Sequence, residues 1–288
     1  MSTAKVHPLI KQMQVMLVAG VYDCLSARLA ERAGFSSVVV TGYGVAASYL
    51  GEPDFGLLTQ TEILDVARRV RRAVKIPVIV DGDTGHGGAL NVMRLVSELV
   101  DMKCNGVLLE DQTWPKRCGH MRDKNVVPME EHVEKIHAAR EAAGDAPFFI
   151  TARTDALTPL GLDEAIRRGI AYKEAGANLI FVEAPETVAQ LERIAAEIPG
   201  GKVINMIEGG KTPILPLEKV HELGFFSVGY VLTGLFAAAR AMADAYEHIL
   251  EHGTSTAITD KLMGFGELTS LLGLEQKYEL DTKFTPGR

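Results

Sequence analysis

The sequence predicts a single (β/α)8 TIM barrel, an α/β fold in which each parallel strand is followed by a helix. Apolar runs of strand length alternate with amphipathic runs of helical length about eight times along the chain. The strand runs are continuously apolar, as expected where both faces are buried, and nearly all of them end in polar or charged residues. A doubly wound open sheet is the competing arrangement. It is weakened because no Gly-x-Gly-x-x-Gly follows the first strand.

Residues 16–20 form the first strand, which runs out at Tyr22 and Asp23. A helix over 26–33 is closed by Gly34, the residue type that suits a left-handed C-terminal cap. Strand two covers 37–42 and leads into a loop that contains Gly44 and 50–56. A helix over 61–74, with arginines on one face, precedes strand three at 76–81. Helix 91–102 and strand four at 106–110 follow, then helix 129–143 and strand five at 148–153. Helix 162–175, stopped by Gly176, leads to strand six at 179–183, and helix 187–198 to strand seven at 202–206. A short helix over 217–223 and strand eight at 226–230 complete the set. A long helix spans 234–252, and 253–288 reads as a C-terminal extension with a polar tail, so that 1–288 form one barrel domain.

Composition narrows the function. At 288 residues, 47% of them hydrophobic and 23% charged, the chain can bury a sizeable core. A net charge of -7 argues against nucleic acid or an anionic membrane as the main partner. The start, Met1-Ser2-Thr3-Ala4-Lys5, leads into polar sequence and does not read as a signal peptide. No apolar run approaches the roughly 20 residues that span a bilayer. Cys24, Cys104 and Cys118 lack the spacing of a disulfide framework, so reduced thiols in a cytoplasmic protein are expected.

In a barrel, function collects at the C-terminal ends of the strands. Those ends are Tyr22-Asp23, Thr41-Gly42-Tyr43, Asp81-Gly82-Asp83, Glu110-Asp111, Arg153-Thr154-Asp155, Glu183, and Asn205 with Glu208. Asp81 and Asp83 are two residues apart, which in an extended strand puts both carboxylates on one side. With Glu110 they make an oxygen-rich site suited to Mg²⁺ or Mn²⁺ rather than Zn²⁺. The alternative is a pair of solvated acids at the start of the next helix. Gly85, Gly87 and Gly88 make the following loop tight, and His86 within it reads as a loop histidine.

The densest chemistry lies in residues 110–120, where an apolar run gives way to two carboxylates and then to Lys116-Arg117-Cys118-Gly119-His120. A thiol beside two cations and a histidine is expected to have its pKa pulled down, and suits either an acid–base group or a nucleophile. Cys24 and Cys104, in or beside helical runs, read as structural. Arg153 at a strand end suits bidentate capture of a carboxylate, the alternative being an ion pair with Asp155 or Glu183. Asn205 and the turn Glu208-Gly209-Gly210-Lys211-Thr212-Pro213 supply amide donors, or simply a turn.

Four segments together resemble the isocitrate lyase/phosphoenolpyruvate mutase superfamily, specifically its lyase branch. They are Val80-Asp81-Gly82-Asp83-Thr84-Gly85, the 110–120 stretch, Ala152-Arg153-Thr154-Asp155-Ala156, and Asn205 through Pro213. The likeness runs from about Gly20 to Phe284. It implies a barrel whose last helix is exchanged between subunits of a homotetramer, a dimer of dimers. It also implies a Mg²⁺-dependent carbon–carbon lyase acting on a small di-acid beside a 2-oxo group.

Carried over by position, Asp81, Asp83 and Glu110 would hold the metal with Asp54 in support. Thr41, Gly42, Tyr43 and Arg153 would hold the carboxylate end of the substrate. Cys118 would protonate the departing enolate, Lys116, Gly119 and His120 would form a gating loop, and Glu183 and Asn205 would complete the pocket. Where methylisocitrate lyases carry an arginine after strand eight, this chain has Phe236. Tricarboxylates are therefore expected to be poor substrates, and the resemblance implies a 2-alkylmalate such as 2,3-dimethylmalate, with oxaloacetate hydrolysis, methylisocitrate cleavage and carboxyphosphonoenolpyruvate chemistry as alternatives.

Overall fold

The eight predicted strands close into one parallel barrel in chain order. The computed structural model that shows this describes residues 11, 12 and 14–285; the start at 1–5 and the last three residues of the polar tail lie outside them. The strands are β1 (Met16–Val21), β2 (Ser37–Val40), β3 (Val78–Asp81), β4 (Gly106–Glu110), β5 (Phe149–Thr154), β6 (Leu179–Val182), β7 (Gly201–Asn205) and β8 (Ser227–Tyr230). β8 returns to β1 through Met16 opposite Ser227 and Ala19 opposite Tyr230, which leaves no open edge.

The helices are α1 (Cys24–Ala33), α2 (Gly42–Val45), α3 (Gln60–Ala73), α4 (Ala89–Asp101), α5 (Met129–Ala143), α6 (Leu157–Leu160), α7 (Leu162–Glu174), α8 (Val188–Glu197) and α9 (Leu217–Glu222). After β8 come α10 (Thr233–His252), α11 (Phe265–Leu271) and α12 (Leu274–Phe284). The chain divides into two compact units, one running to Leu235 and the other beginning at Phe236. Among the described residues no helix is long and apolar enough to cross a membrane.

The period of two along each strand decides what faces what. Val38, Val40, Val78, Val80, Leu109, Ile150, Ala152, Ile204 and Val228 belong to the buried hydrophobic core. The residues between them line the barrel interior in pairs: Val39 and Thr41, Ile79 and Asp81, Thr151 and Arg153, Val203 and Asn205. In each pair the second residue is polar and lies at the strand's C-terminal end. The barrel's own periodicity therefore gathers Thr41, Asp81, Arg153 and Asn205 at one mouth.

Three strand-end expectations are corrected. Residues 42–50, expected as loop, form α2 and a π-helical turn, Ala46–Leu50. Gly44 allows this, because a Cβ there would lie 3.0 Å from both Tyr22 and Thr41, and Val45 and Ala46 bury themselves. β3 stops at Asp81, so strand pleating does not place Asp83. Asp83 takes a left-handed backbone with φ 49° and donates its N–H to Asp81 Oδ1 at 3.2 Å. Asp23 does not serve the mouth, since its carboxylate caps α1 by accepting from Ser26 N at 2.7 Å.

Candidate active site

The site sits in the barrel unit, around a cavity of about 100 Å³. Thr41, Tyr43, Asp54, Asp81, Cys118, Gly119, His120, Arg153, Glu183 and Asn205 all line it. Ile207, Val231 and Leu232 also line it and were not anticipated. Apolar residues just past strand ends look like ordinary packing in a sequence, so only the closed barrel reveals that they wall the cavity.

The carboxylate cluster comes from two strand ends, Asp81 with Asp83 after β3 and Glu110 at the end of β4, and from one loop, which carries Asp54. A Cβ on Gly42 would stand 3.1 Å from Asp83 Oδ1 and 3.3 Å from Asp81 Oδ2, so both carboxylates converge there. The Gly42 N–H already donates to Asp81 Oδ2 at 3.1 Å and is thereby turned toward the cluster. Lys116 is only 3% exposed and places its ammonium between Asp54 Oδ1 at 2.6 Å and Asp83 Oδ1 at 2.7 Å. Burial pushes the Asp83 carboxyl up to about 7; Lys116 pulls the other way, and Asp81 and Asp54 add to the rise. Burial also raises Glu110 well above its usual range, with Arg153 and Lys116 opposing.

Among the described residues, no three His, Cys, Asp or Glu side chains converge closely enough to hold an ion. The donor chemistry nevertheless fits a hard cation. The cluster is made of oxygens, and Glu110 Oε1 is buried without a hydrogen-bond partner. Its neighbour Asp111 faces the other way, as strand alternation requires. Asp111 accepts from Thr154 Oγ1 at 2.8 Å, Asp155 N at 2.8 Å, Tyr172 at 2.7 Å and Arg168 at 3.0 Å.

Arg153 is held on all sides. Asp155 takes Nε at 2.8 Å and Nη2 at 3.1 Å, while Nη1 meets Glu183 at 3.0 Å and Glu110 at 3.3 Å. Both ion pairs weighed against a ligand role from the sequence are present, and the guanidinium still lines the cavity. Burial would raise Glu183, but Arg153 and the His120 contact outweigh it and hold the carboxyl below its usual range.

Cys118, Gly119 and His120 line the cavity from one loop. Gln112 brackets Arg117, accepting from its N–H at 3.0 Å and donating to its carbonyl at 2.8 Å. Cys118 N donates to the Asp54 carbonyl at 3.2 Å. Gly119 has to be glycine, because a Cβ there would overlap Glu183 and press on Arg153. His120 Nδ1 accepts the Lys211 N–H at 2.8 Å, which puts the ring proton on Nε2, 3.2 Å from Glu183.

The thiol itself departs from expectation. Burial pushes Cys118 up to about 11; the His120 N–H and Arg153 oppose this, and Asp54 and Glu183 reinforce it. None of the three groups expected to lower it does so effectively. Lys116 is neutralised by Asp54 and Asp83. Arg117 turns outward over Phe55, 5.5 Å from the ring centroid, and toward Asp123. His120 presents its Nε2 to Glu183. At neutral pH that rise favours the protonated thiol over the thiolate. Tyr43 is likewise raised, by burial and then by Cys118 and Asp54.

A family model described as phosphoenolpyruvate phosphomutase matches residues 6–250. The chain belongs to the phosphoenolpyruvate mutase/isocitrate lyase superfamily. It is an enzyme of that superfamily, and its curated relatives include lyases and a phosphorylmutase. It is 50% identical over 279 residues to the petal death protein of Dianthus caryophyllus, covering 96% of this chain and 88% of that protein. It is 41% identical over 287 residues to the 2,3-dimethylmalate lyase of Eubacterium barkeri, covering 100% and 99%.

Among solved structures, oxaloacetate acetylhydrolase in complex with 3,3-difluorooxalacetate superposes with a TM-score of 0.89 at 32% identity, covering 96% of this chain and 94% of that one. A phosphonopyruvate hydrolase complex with oxalate and Mg++ superposes with a TM-score of 0.85 at 29% identity, covering 95% of each chain.

Proposed function

We propose that this enzyme cleaves the C2–C3 bond of a 2-alkylmalate such as 2,3-dimethylmalate, releasing a 2-oxo acid and a carboxylate. The observation that carries this is Cys118, its thiol pushed up to about 11 by burial, lining one cavity with Arg153, Asp54, Asp81 and the apolar wall of Ile207, Val231 and Leu232. Asp81, Asp83 and Glu110, with Asp54 in support, would hold Mg²⁺ or Mn²⁺. Bound there, the cation supplies Lewis-acid stabilisation of negative charge on the substrate oxygen.

The chain's own residues do the rest. Arg153, oriented by Asp155, binds the substrate carboxylate with Thr41, Tyr43 and Asn205 beside it. The apolar wall receives the alkyl groups, and Phe236 in place of an arginine leaves a third carboxylate without its expected partner. The 2-hydroxyl proton passes to a base as C2 becomes a carbonyl carbon, the C2–C3 electron pair goes to C3, and Cys118 protonates C3 and is left as a thiolate. Lys116, Gly119 and His120 keep the loop over the cavity, which excludes water while that proton moves.

The likeness to oxaloacetate acetylhydrolase supports oxaloacetate hydrolysis as the second reading, using the same residues. A proton NMR panel with Mg²⁺ separates them: 2,3-dimethylmalate and other 2-alkylmalates, methylisocitrate, isocitrate and oxaloacetate. Release of a 2-oxo acid from alkylmalates is expected. Rapid methylisocitrate cleavage would overturn the Phe236 argument, and oxalate with acetate from oxaloacetate alone would make the enzyme a hydrolase.

We further infer a cytoplasmic homotetramer, a dimer of dimers, in which 1–288 act as one barrel domain, 253–288 extend it, and C-terminal helices exchange between subunits. Supporting this, α10, α11 and α12 bury none of their residues, yet carry Leu250 at 87%, Phe265 at 84% and Phe284 at 73% exposure. Light scattering that returned a monomer would overturn it.

A further inference from the structure

Lys124 is absent from the cavity wall, yet its side chain is fully buried. An ammonium withdrawn from water persists only where it is paired and hydrogen-bonded. Lys124 Nζ meets Asp155 Oδ1 at 2.8 Å and donates a second, short bond to the Gly119 carbonyl. Each partner leads to a different part of the site. Asp155 is the carboxylate that grips Arg153 through Nε and Nη2. Gly119 follows Cys118 and packs against Glu183 and Arg153.

The neck of the loop makes this contact directional. Thr113 N donates to the Asn125 carbonyl at 3.0 Å, Gln112 bridges Val126, and Val127 N donates to the Asp111 carbonyl at 2.8 Å. Lys124 is the last residue inside that neck. It is therefore anchored beside the barrel while residues 116–120 reach over the cavity. Opening the loop would take the Gly119 carbonyl from Lys124 and loosen the Asp155 carboxylate that sets the Arg153 plane.

We propose that Lys124 is a positioning residue, a buried latch that makes closure of the Cys118 loop and orientation of Arg153 one event. This rests on residues 116–120 being the gate over the cavity and on Cys118 being the proton donor. The latch accounts for a charged side chain held deep in the fold where a neutral one would pack at less cost. It also ties two groups that are 35 residues apart, Cys118 and Arg153, through one nitrogen.

The test uses full-length protein with Lys124→Met, which removes the donors at similar volume, and Lys124→Arg, which keeps them. The readout is iodoacetamide alkylation of Cys118 at fixed pH, followed by peptide mapping, which requires no turnover. Lys124→Met should alkylate about tenfold faster than wild type, the scale of one lost charge-assisted hydrogen bond. Its kcat on a 2-alkylmalate should fall by more than its KM rises, and Lys124→Arg should restore slow labelling. Folded Lys124→Met that labels at the wild-type rate would overturn the latch.

If Lys124→Met fails to fold, hydrogen exchange on wild type decides the matter. Oxalate with Mg²⁺ should slow exchange over 116–124 and over 153–155 together, and protection of one segment without the other would overturn the coupling. Faster labelling in Lys124→Met with no alkylmalate cleaved by wild type would keep the latch and discard the substrate assignment.

Discussion

Replacing Cys118 isolates the proton on which the chemistry depends. Burial beside Asp54 and Glu183 pushes this thiol up to about 11, against about 8.5 for a free cysteine. At about pH 8 a thiol titrating near 11 leaves about one thiolate in a thousand, whereas a free one leaves about one in four. The assay is the ultraviolet absorbance of the thiolate, wild type minus Cys118→Ser, titrated from about pH 7 to about pH 11.

The same shift has a stability consequence with a definite sign. An acid whose folded pKa is raised favours the native state while protonated. Its contribution is whole below about pH 8.5 and is lost as pH rises toward about 11, reaching at most about 3 kcal/mol. Urea unfolding should show wild type losing stability relative to Cys118→Ser over that range. A difference titration with its midpoint below about 8.5 would refute the assignment of Cys118 as a resting acid.

Three further outcomes follow from the geometry. Asp155→Asn strips the partner from both Arg153 and Lys124, so chemical denaturation should show a loss of about 3–5 kcal/mol. Burial opposes ionisation of Asp155, but Arg153 and Lys124 outweigh it and hold the carboxyl below its usual range; wild type should therefore lose stability as pH falls below about 4, and the variant should lose less. Gly119→Ala places a methyl group against Glu183 and Arg153, so turnover should fall by about a hundredfold or more with the circular dichroism spectrum unchanged. Chelation should abolish turnover and Mg²⁺ should restore it, while Asp83→Asn should weaken Mg²⁺ binding in a calorimetric titration.

The barrel was legible because alternation, apolar continuity and polar strand ends are local properties of a sequence. The mouth was legible for the same reason: a residue two beyond an inward-facing one also faces inward, which gathers Thr41, Asp81, Arg153 and Asn205. That rule also separates Glu110 from Asp111, which adjacency in the sequence had grouped together. Long-range pairing was not legible. The cations beside Cys118 look activating in the sequence, yet Lys116 is neutralised by Asp54 and Asp83, 62 and 33 residues away. No sequence signal distinguishes Lys124, a lysine in a polar loop, from a solvated one. Asp155 carried a hint, lying two residues beyond Arg153, but strand alternation alone does not show that it turns back to grip the guanidinium.

The most direct test of the central claim is cleavage of 2,3-dimethylmalate with Mg²⁺ in D₂O, wild type beside folded Cys118→Ser, followed by proton NMR. Proton donation by Cys118 predicts that wild type releases a 2-oxo acid and a carboxylate carrying one deuterium on the carbon that left, and that Cys118→Ser releases neither at a comparable rate. Cleavage by Cys118→Ser at the wild-type rate would contradict the account.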